Sequence, residues 1–368
     1  MRDPRLDQLA AGLLDHSLDI QPGERLLIEA DFTCRDLVMA VIDAAYERKA
    51  MPFVHLTDPR VRRAWYLGAT RPQMDYSVKW ALYRHEDIDA SLAIYGGENE
   101  TEMADIPPEV MEAARLASEP IVEKDLKKKW SVVRYPTPAG AQLAGMSTEA
   151  FEDFCLDVST VDYARLSEAM DPLVALMART DRVRIVSPGT DLEFSIKGIG
   201  IAKSDGRENV PDGEVFTSPV RDSVNGTIRF NVPSLEEGTT FERIRFTFEN
   251  GRIVDADGTP NDRLLKIIGT DEGSHYLGEF ALGVNPRINQ PMKDTLYDEK
   301  IAGSLHFAVG RAYEEADNGN RSSVHWDLVL IQTPEWGGGE IYFDGVLVRK
   351  DGRFVLPELE GLNPEHLE

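Results

Sequence analysis

The segment Ser323-Val324-His325-Trp326-Asp327-Leu328-Val329-Leu330 sets a histidine and an aspartate two residues apart on an apolar, β-rich run. In a strand, that spacing puts both side chains on one face. Imidazole and carboxylate groups are rarely buried unless paired or coordinated, so two of them at the head of a core strand require a partner. A divalent cation is the natural one. Catalytic metal centres draw three or more ligands from separate elements. The C-terminal half supplies further donors: Glu214 in PDGEVFTSP, Glu279 in GEFALG and His306 in GSLHFAVGRAY, each beside small or apolar residues. Two imidazoles with three carboxylates suit zinc, cobalt, manganese or ferrous iron, and five ligands are enough for two ions bridged by a shared carboxylate.

Each of these residues also has a plainer reading. Glu214 follows Pro211-Asp212-Gly213 and reads equally well as the first exposed residue after a turn. Glu279 is harder to leave at the surface, because Phe280-Ala281-Leu282 reads as buried and Gly278 allows another group to approach closely. His306 alone, between Leu305 and Phe307, would be a hydrogen-bonded core histidine. The His325 and Asp327 pair shifts that balance toward ligation. Tyr313 lies seven residues after His306, on the same face of a helix but the opposite face of a strand, and Gly310 between them leaves the geometry open. It is either an ordinary half-buried tyrosine or a hydroxyl donor to a developing oxyanion.

These residues need two kinds of scaffold around them. Residues 1–165 alternate aliphatic runs with helical patterns: Leu26-Leu27-Ile28, then Asp36 to Lys49, Pro52-Phe53-Val54, an amphipathic region to His85, and Leu92 to Tyr95. That order predicts an α/β N-terminal domain with a mostly parallel sheet, extended by Val132 to Tyr135 and a helical stretch from Thr148 to Arg179. The boundary is expected between Asp162 and Arg182. Residues 166–368 carry turn signals every ten or so residues, between runs such as Ile244 to Phe248 and Gly345 to Val348. They predict an α+β domain rich in antiparallel strands that carries the metal site, with helices at Asn261 to Gly269 and around Ala308 to Ala316.

Composition limits the function classes. The chain has 368 residues, 42% hydrophobic and 28% charged, and its 64 acidic against 40 basic residues give a net charge of −24. That field repels nucleic acid and anionic membrane surfaces, so neither is an expected partner. The opening MRDPRLDQLAAGLLDHSLDI lacks a basic head and a continuous apolar run, and no stretch reaches the roughly 20 apolar residues of a membrane span, so a cytoplasmic location is expected. Two cysteines, Cys34 and Cys155, fall in predicted helices and exclude a disulfide framework. There is no G-x-S-x-G elbow, and no glycine fingerprint follows the first strand. His85-Glu86-Asp87-Ile88-Asp89 lacks the second histidine of a zincin motif and reads as a solvated helix end. Asp255-Ala256-Asp257-Gly258 reads as a hairpin turn.

Longer blocks carry a family resemblance. Pro211 to Pro219, GEFALGVNP (Gly278 to Pro286), LYDEKIAGSLHFAVGRAY (Leu296 to Tyr313) and the strand from His325 to Leu328 resemble the characteristic blocks of the thermophilic metalloaminopeptidases of the aminopeptidase T type. The opening MRDPRLDQLA and the block RYPTPAGAQLAGMSTEAF (Arg134 to Phe151) are similar too, so the resemblance covers nearly the whole chain. It implies two divalent cations (zinc, cobalt, manganese or magnesium) held by Glu214, Glu279, His306, His325 and Asp327, with Tyr313 completing the site. It also implies hydrolysis of the N-terminal peptide bond of short peptides, a first domain that covers the active site, and a homodimer. In that chemistry a carboxylate, Glu279 rather than Glu214, takes a proton from the metal-activated water, while Tyr313 binds metal or stabilises the oxyanion. One departure is a shorter gap between Tyr313 and His325 than in longer members, which would reshape the pocket rim.

Two rivals keep the metal. His306, His325 and Asp327 match the ligand set of a mononuclear non-haem iron dioxygenase acting on a small aromatic substrate, but that site leaves Glu214 and Glu279 idle. A metal-stabilised peptide-binding protein without turnover would need a coordinatively closed site.

Overall fold

The computed structural model describes residues 2–236 and 238–367. Two compact units emerge, Met1–Thr160 with Gly206–Pro211, and Val161–Asp205 with Asp212–Glu368. The return of residues 206–211 to the first unit has no signature in the sequence.

In the first unit the chain runs through α1 (Pro4–Gly12), β1 (Arg25–Asp31), α2 (Arg35–Glu47), β2 (Met51–Thr57), α3 (Pro59–Gly68), α4 (Arg71–Glu86), β3 (Ala90–Tyr95), α5 (Pro108–Asp125), β4 (Lys129–Arg134), α6 (Pro138–Ala144) and α7 (Thr148–Ser159). Polar residues fix several helix starts: Asp3, Asp58, Thr137 and Ser147 each accept from a backbone N–H of the first turn. With β8 (Asn209–Val210), the strands form a sheet in the order β2-β1-β3-β4-β8, parallel throughout. The central strands are buried through Leu26, Ile28, Leu92 and Ile94, as expected for a sheet covered on both faces. The edge strand β2 differs: Met51, Phe53, Val54 and Leu56 are all exposed, and Pro52 suits an edge.

Two sequence expectations change here. His85 is not at a solvated helix end; it is buried at the end of α4, with Nδ1 2.8 Å from Asp125 Oδ1, because α4 packs along α5. Cys34 lies in a single 3₁₀ turn, Phe32–Cys34, that leads into α2, and burial pushes its thiol up to about 12, far from a nucleophile. Cys155 lies in α7 and is also buried.

The second unit opens with α8 (Tyr163–Ala178) and continues through β5 (Arg182–Ser187), β6 (Thr190–Ser195), β7 (Ala202–Ser204), β9 (Glu214–Thr217), β10 (Asn225–Arg229), β11 (Ser234–Glu236), β12 (Thr239–Glu249) and β13 (Arg252–Thr259). It closes with α9 (Asn261–Ile268), β14 (Leu277–Gly283), α10 (Thr295–Asp298), β15 (Ser304–Gly310), β16 (His325–Ile331), β17 (Glu340–Phe343), β18 (Val346–Lys350) and β19 (Arg353–Phe354). The larger antiparallel sheet orders as β11-β12-β10-β6-β5-β17-β18-β19, with β13 against β12. The smaller orders as β16-β15-β14-β9-β7. Phe194 of β6 meets Phe280 and Phe307 at ring centroid distances of 5.0 and 5.5 Å, so one face of the smaller sheet is sealed by aromatic packing.

The helix expected around Ala308 to Ala316 is absent; residues 308–310 finish β15, and only a 3₁₀ turn at Glu314–Ala316 follows. Val309 pairs with Trp326 of β16, so the ladder overrides the local helical pattern. Asp255 to Gly258 lie inside β13 rather than in a turn, because the hairpin reverses at Asn250 and Gly251, both with positive φ.

Candidate metal centre

Strand register gathers the acidic and imidazole residues on the other face of the smaller sheet. Glu279 lies opposite Ala308, which lies opposite Asp327; His306 is two residues before Ala308, and His325 two before Asp327. Glu214 pairs with Gly283, four residues beyond Glu279. Side chains alternate along strands, so all five project from one face while Phe280, Phe307 and Trp326 fill the opposite one. Positions between them on the same face are Ala281, Gly283, Ala308 and Gly310, which leave room for the long donors.

Two glycines shape this surface. Gly278 marks a β-bulge in β14, where the register slips between Leu277 and Glu279 and re-aims Glu279. A Cβ there would lie 2.3 Å from the Arg311 carbonyl oxygen. At Gly283 a Cβ would meet the Ile301 carbonyl oxygen at 2.5 Å, so its absence lets the segment after α10 lie directly on the sheet. Asp294 caps α10 through the Leu296 N–H, and the chain then turns Glu299 and Lys300 inward.

The donors converge closely. His306 Nε2 is 3.3 Å from both Glu214 Oε2 and Glu279 Oε1, and His325 Nε2 is 3.5 Å from both Glu279 Oε2 and Asp327 Oδ1. Two donors bound to one tetrahedral cation at about 2.0–2.2 Å stand about 3.3–3.6 Å apart, the same spacing. Two triads result, Glu214 with Glu279 and His306, and Glu279 with His325 and Asp327, each with donor atoms within 4.8 Å of one another. Glu279 belongs to both and directs one oxygen toward each imidazole. His325 Nδ1 donates to the Arg311 carbonyl at 2.8 Å, which leaves Nε2 as the lone-pair nitrogen facing the carboxylates.

The residues fit a cation on two further grounds. Glu214 Oε2, Glu279 Oε2 and Asp327 Oδ1 are buried without hydrogen-bond partners, a costly state for carboxylate oxygens gathered in one place. The electrostatics point the same way. Burial alone would lower both imidazoles, yet Glu214 with Glu279 around His306, and Asp327 with Glu279 around His325, outweigh it and hold both above the usual histidine range. Burial pushes Glu279 up despite His306, while Asp327 is held low against burial by His325. The cluster is short of positive charge.

Tyr313 lies three residues past β15. Its ring centroid is 4.6 Å from that of His325 and 6.1 Å from Phe216, and it remains partly exposed. Loss of solvent around the hydroxyl, with Asp327 and Glu279 nearby, keeps the phenol protonated.

Several residues at this centre carried no signal in the sequence. Lys300 is fully buried; its Nζ donates to Glu214 Oε1 at 2.7 Å and to Glu299 Oε1, and lies 3.6 Å from Asp212 Oδ1. Glu299 forms a further donor group with His306 and Asp327. Asp-Glu-Lys after a short helical pattern reads as a solvated turn, and only the close packing at Gly283 makes it interior.

The fold and this donor set define a metal-dependent hydrolase, and comparison with known proteins gives the family. The model of the thermophilic metalloprotease (M29) family matches residues 2–354, and the chain belongs to that family. Aminopeptidase T of Thermus thermophilus is 27% identical, covering 95% of this chain and 98% of its own length. Aminopeptidase 2 of Geobacillus stearothermophilus is also 27% identical, with 95% of each chain covered, and aminopeptidase AmpS of Bacillus subtilis is 26% identical, with 88% of each. A solved structure, wild-type AmpT from Thermus thermophilus, superposes with a TM-score of 0.79 at 24% identity, covering 96% of this chain and 99% of that one, and shares its fold.

Proposed function

We propose that this metal-dependent aminopeptidase removes N-terminal residues from short peptides at a dinuclear centre formed by Glu214, Glu279, His306, His325 and Asp327. The observation that carries the reading is the pair of donor triads sharing Glu279. Glu214, Glu279 and His306 would hold one divalent cation, and Glu279, His325 and Asp327 the other. Such cations supply Lewis acidity at the scissile carbonyl and bring a bound water toward a pKa of about 7.

The chain's own groups complete the chemistry. Glu279, the carboxylate common to both triads, is assigned proton transfer from the water to the leaving amine, while Glu214 Oε1 accepts from Lys300. Tyr313, kept protonated, donates to the oxyanion of the tetrahedral intermediate. The Arg311 carbonyl holds the His325 ring in its ligating tautomer. Zinc, cobalt, manganese and magnesium all match donors of this kind. The dioxygenase alternative leaves Glu214 and Glu279 without a role, whereas here both converge on the same two histidines.

We further propose that the protein acts as a homodimer. Support comes from the apolar surface of the first unit, where the edge strand β2 is joined by exposed Val61 and Leu67 of α3 and Tyr76, Trp80 and Tyr83 of α4. Among the described residues, no helix is long and apolar enough to cross a membrane.

The test of the activity is release of free amino acid from short peptides and aminoacyl arylamides. The protein is first stripped with chelator, then given cobalt, zinc, manganese or magnesium under anaerobic conditions. Metal-restored release supports the reading; no release with any metal refutes it.

A further inference from the structure

The smaller sheet holds one apolar side chain that its own packing does not cover. Among the described residues of β9, β14 and β15, all are buried except Phe216. Register sets its place: Phe216 lies opposite Ala281 of β14 and Ala202 of β7, and Ala281 lies opposite His306. Residues directly opposite in a ladder share a face, so the ring rises from the side that carries Glu214, Glu279 and His306, not from the aromatic core behind it. A phenylalanine left half-buried beside a cluster of charged donors has surface that an incoming apolar group can cover.

The neighbours give that surface a shape. Ala202 and Ala281 flank the ring with single methyl groups, so neither stands as high as it does. Adjacent strands lie about 4.8 Å apart, which sets the Phe216 and His306 backbones about 10 Å from each other with Ala281 as the floor between them. Tyr313 bounds the recess, its ring edge-on to Phe216 at 6.1 Å and 4.6 Å from that of His325. An apolar wall and floor therefore stand directly beside the donor cluster.

In the proposed reaction the first residue of a peptide presents its amine to the cations and its carbonyl to Tyr313. Its side chain leaves from the carbon between those two groups, and Phe216 stands between the same two landmarks, on the strand of Glu214 and against the ring of Tyr313. We propose that Phe216 is the wall against which the side chain of the substrate's first residue packs, and that it selects leucine-sized apolar residues there. The proposal rests on the aminopeptidase reading and adds the substrate class to it. Phe216 takes no part in the bond change. Contact with it buries apolar surface on both partners, which glycine and alanine are too short to do and a charged side chain does only with a desolvation cost.

Calorimetric titration of the metal-loaded full-length protein tests this without turnover. The probes are glycine hydroxamate, L-alanine hydroxamate and L-leucine hydroxamate, which share the amine and the metal-binding group and carry no second residue, so they report the first side chain alone. The wild type should bind the leucine probe roughly 30-fold or more tighter than the alanine probe, as its extra carbons become buried. Phe216→Ala should shrink that ratio to about 5-fold or less, with metal content per chain and affinity for the glycine probe unchanged. Phe216→Trp, which fills the recess, should also weaken the leucine probe and spare the glycine probe, and it covers the case in which the alanine variant misfolds. A leucine preference retained in both variants, a loss of metal from both, or no leucine preference in the wild type would each overturn the proposal. Because binding is read directly, a wild type that prefers the leucine probe yet releases no amino acid would count against the aminopeptidase reading alone.

Discussion

Divalent cations should fill this centre much more tightly as the pH rises. In the metal-free protein, burial disfavours charged imidazoles, but the surrounding carboxylates outweigh it and hold His306 up to about 10 and His325 up to about 9. Ligation requires both rings to be neutral at the coordinating nitrogen, so near neutral pH about two protons must leave as the metal enters. Each released proton contributes about 1.36 kcal/mol per pH unit, so the two together make filling about 2.7 kcal/mol more favourable per unit, close to 100-fold in affinity. The stripped protein responds in the opposite direction. A histidine whose pKa is raised on folding contributes full stability below its unfolded value of about 6.5 and loses it as pH climbs through the folded value. Chelator-competition titrations with cobalt or zinc at about pH 6.5, 7.5 and 8.5, corrected for the chelator's own protonation, measure the first effect. Thermal melts of stripped protein across the same range measure the second. Metal affinity that does not change with pH would refute the charge balance inferred for these residues.

Other consequences follow from single contacts. His325→Ala or Asp327→Asn should abolish hydrolysis while the circular dichroism spectrum and melting remain those of a folded protein; full activity in either would remove the site. Tyr313→Phe should lower kcat by about 10²–10³ with metal content retained, as for loss of one oxyanion donor, and a parallel loss of metal would make the phenol a ligand instead. Lys300→Met should destabilise the stripped protein by about 3–5 kcal/mol in denaturant titrations, since it leaves Glu214, Glu299 and Asp212 buried without their shared cation. Gly278→Ala should cut activity sharply, because its Cβ would collide with the Arg311 carbonyl and displace the bulge that aims Glu279; unchanged kinetics would show that the bulge does not matter.

The parts of this architecture that were legible in the sequence rest on periodicity. The βαβ order of the first unit and the one-face placement of His325 and Asp327 come from strand alternation and helical spacing, both local signals. What stayed hidden depends on register and distant packing. Glu299 and Lys300 belong to a charged turn whose burial is set by Gly283, at the end of a strand well before them in the chain. His85 is interior only because Asp125 of another helix faces it. The helical pattern after His306 yields to the ladder with β16, since pairing a full strand buries more than a short helix could. The position of Tyr313 against His325 follows from the end of that ladder and not from its spacing to His306.

The dinuclear centre is tested most directly by anomalous diffraction from crystals of the zinc-loaded protein. Two peaks are expected, one bonded by Glu214 and His306 and the other by His325 and Asp327, with Glu279 bridging them. A single peak on His306, His325 and Asp327, with Glu214 and Glu279 turned away, would contradict it.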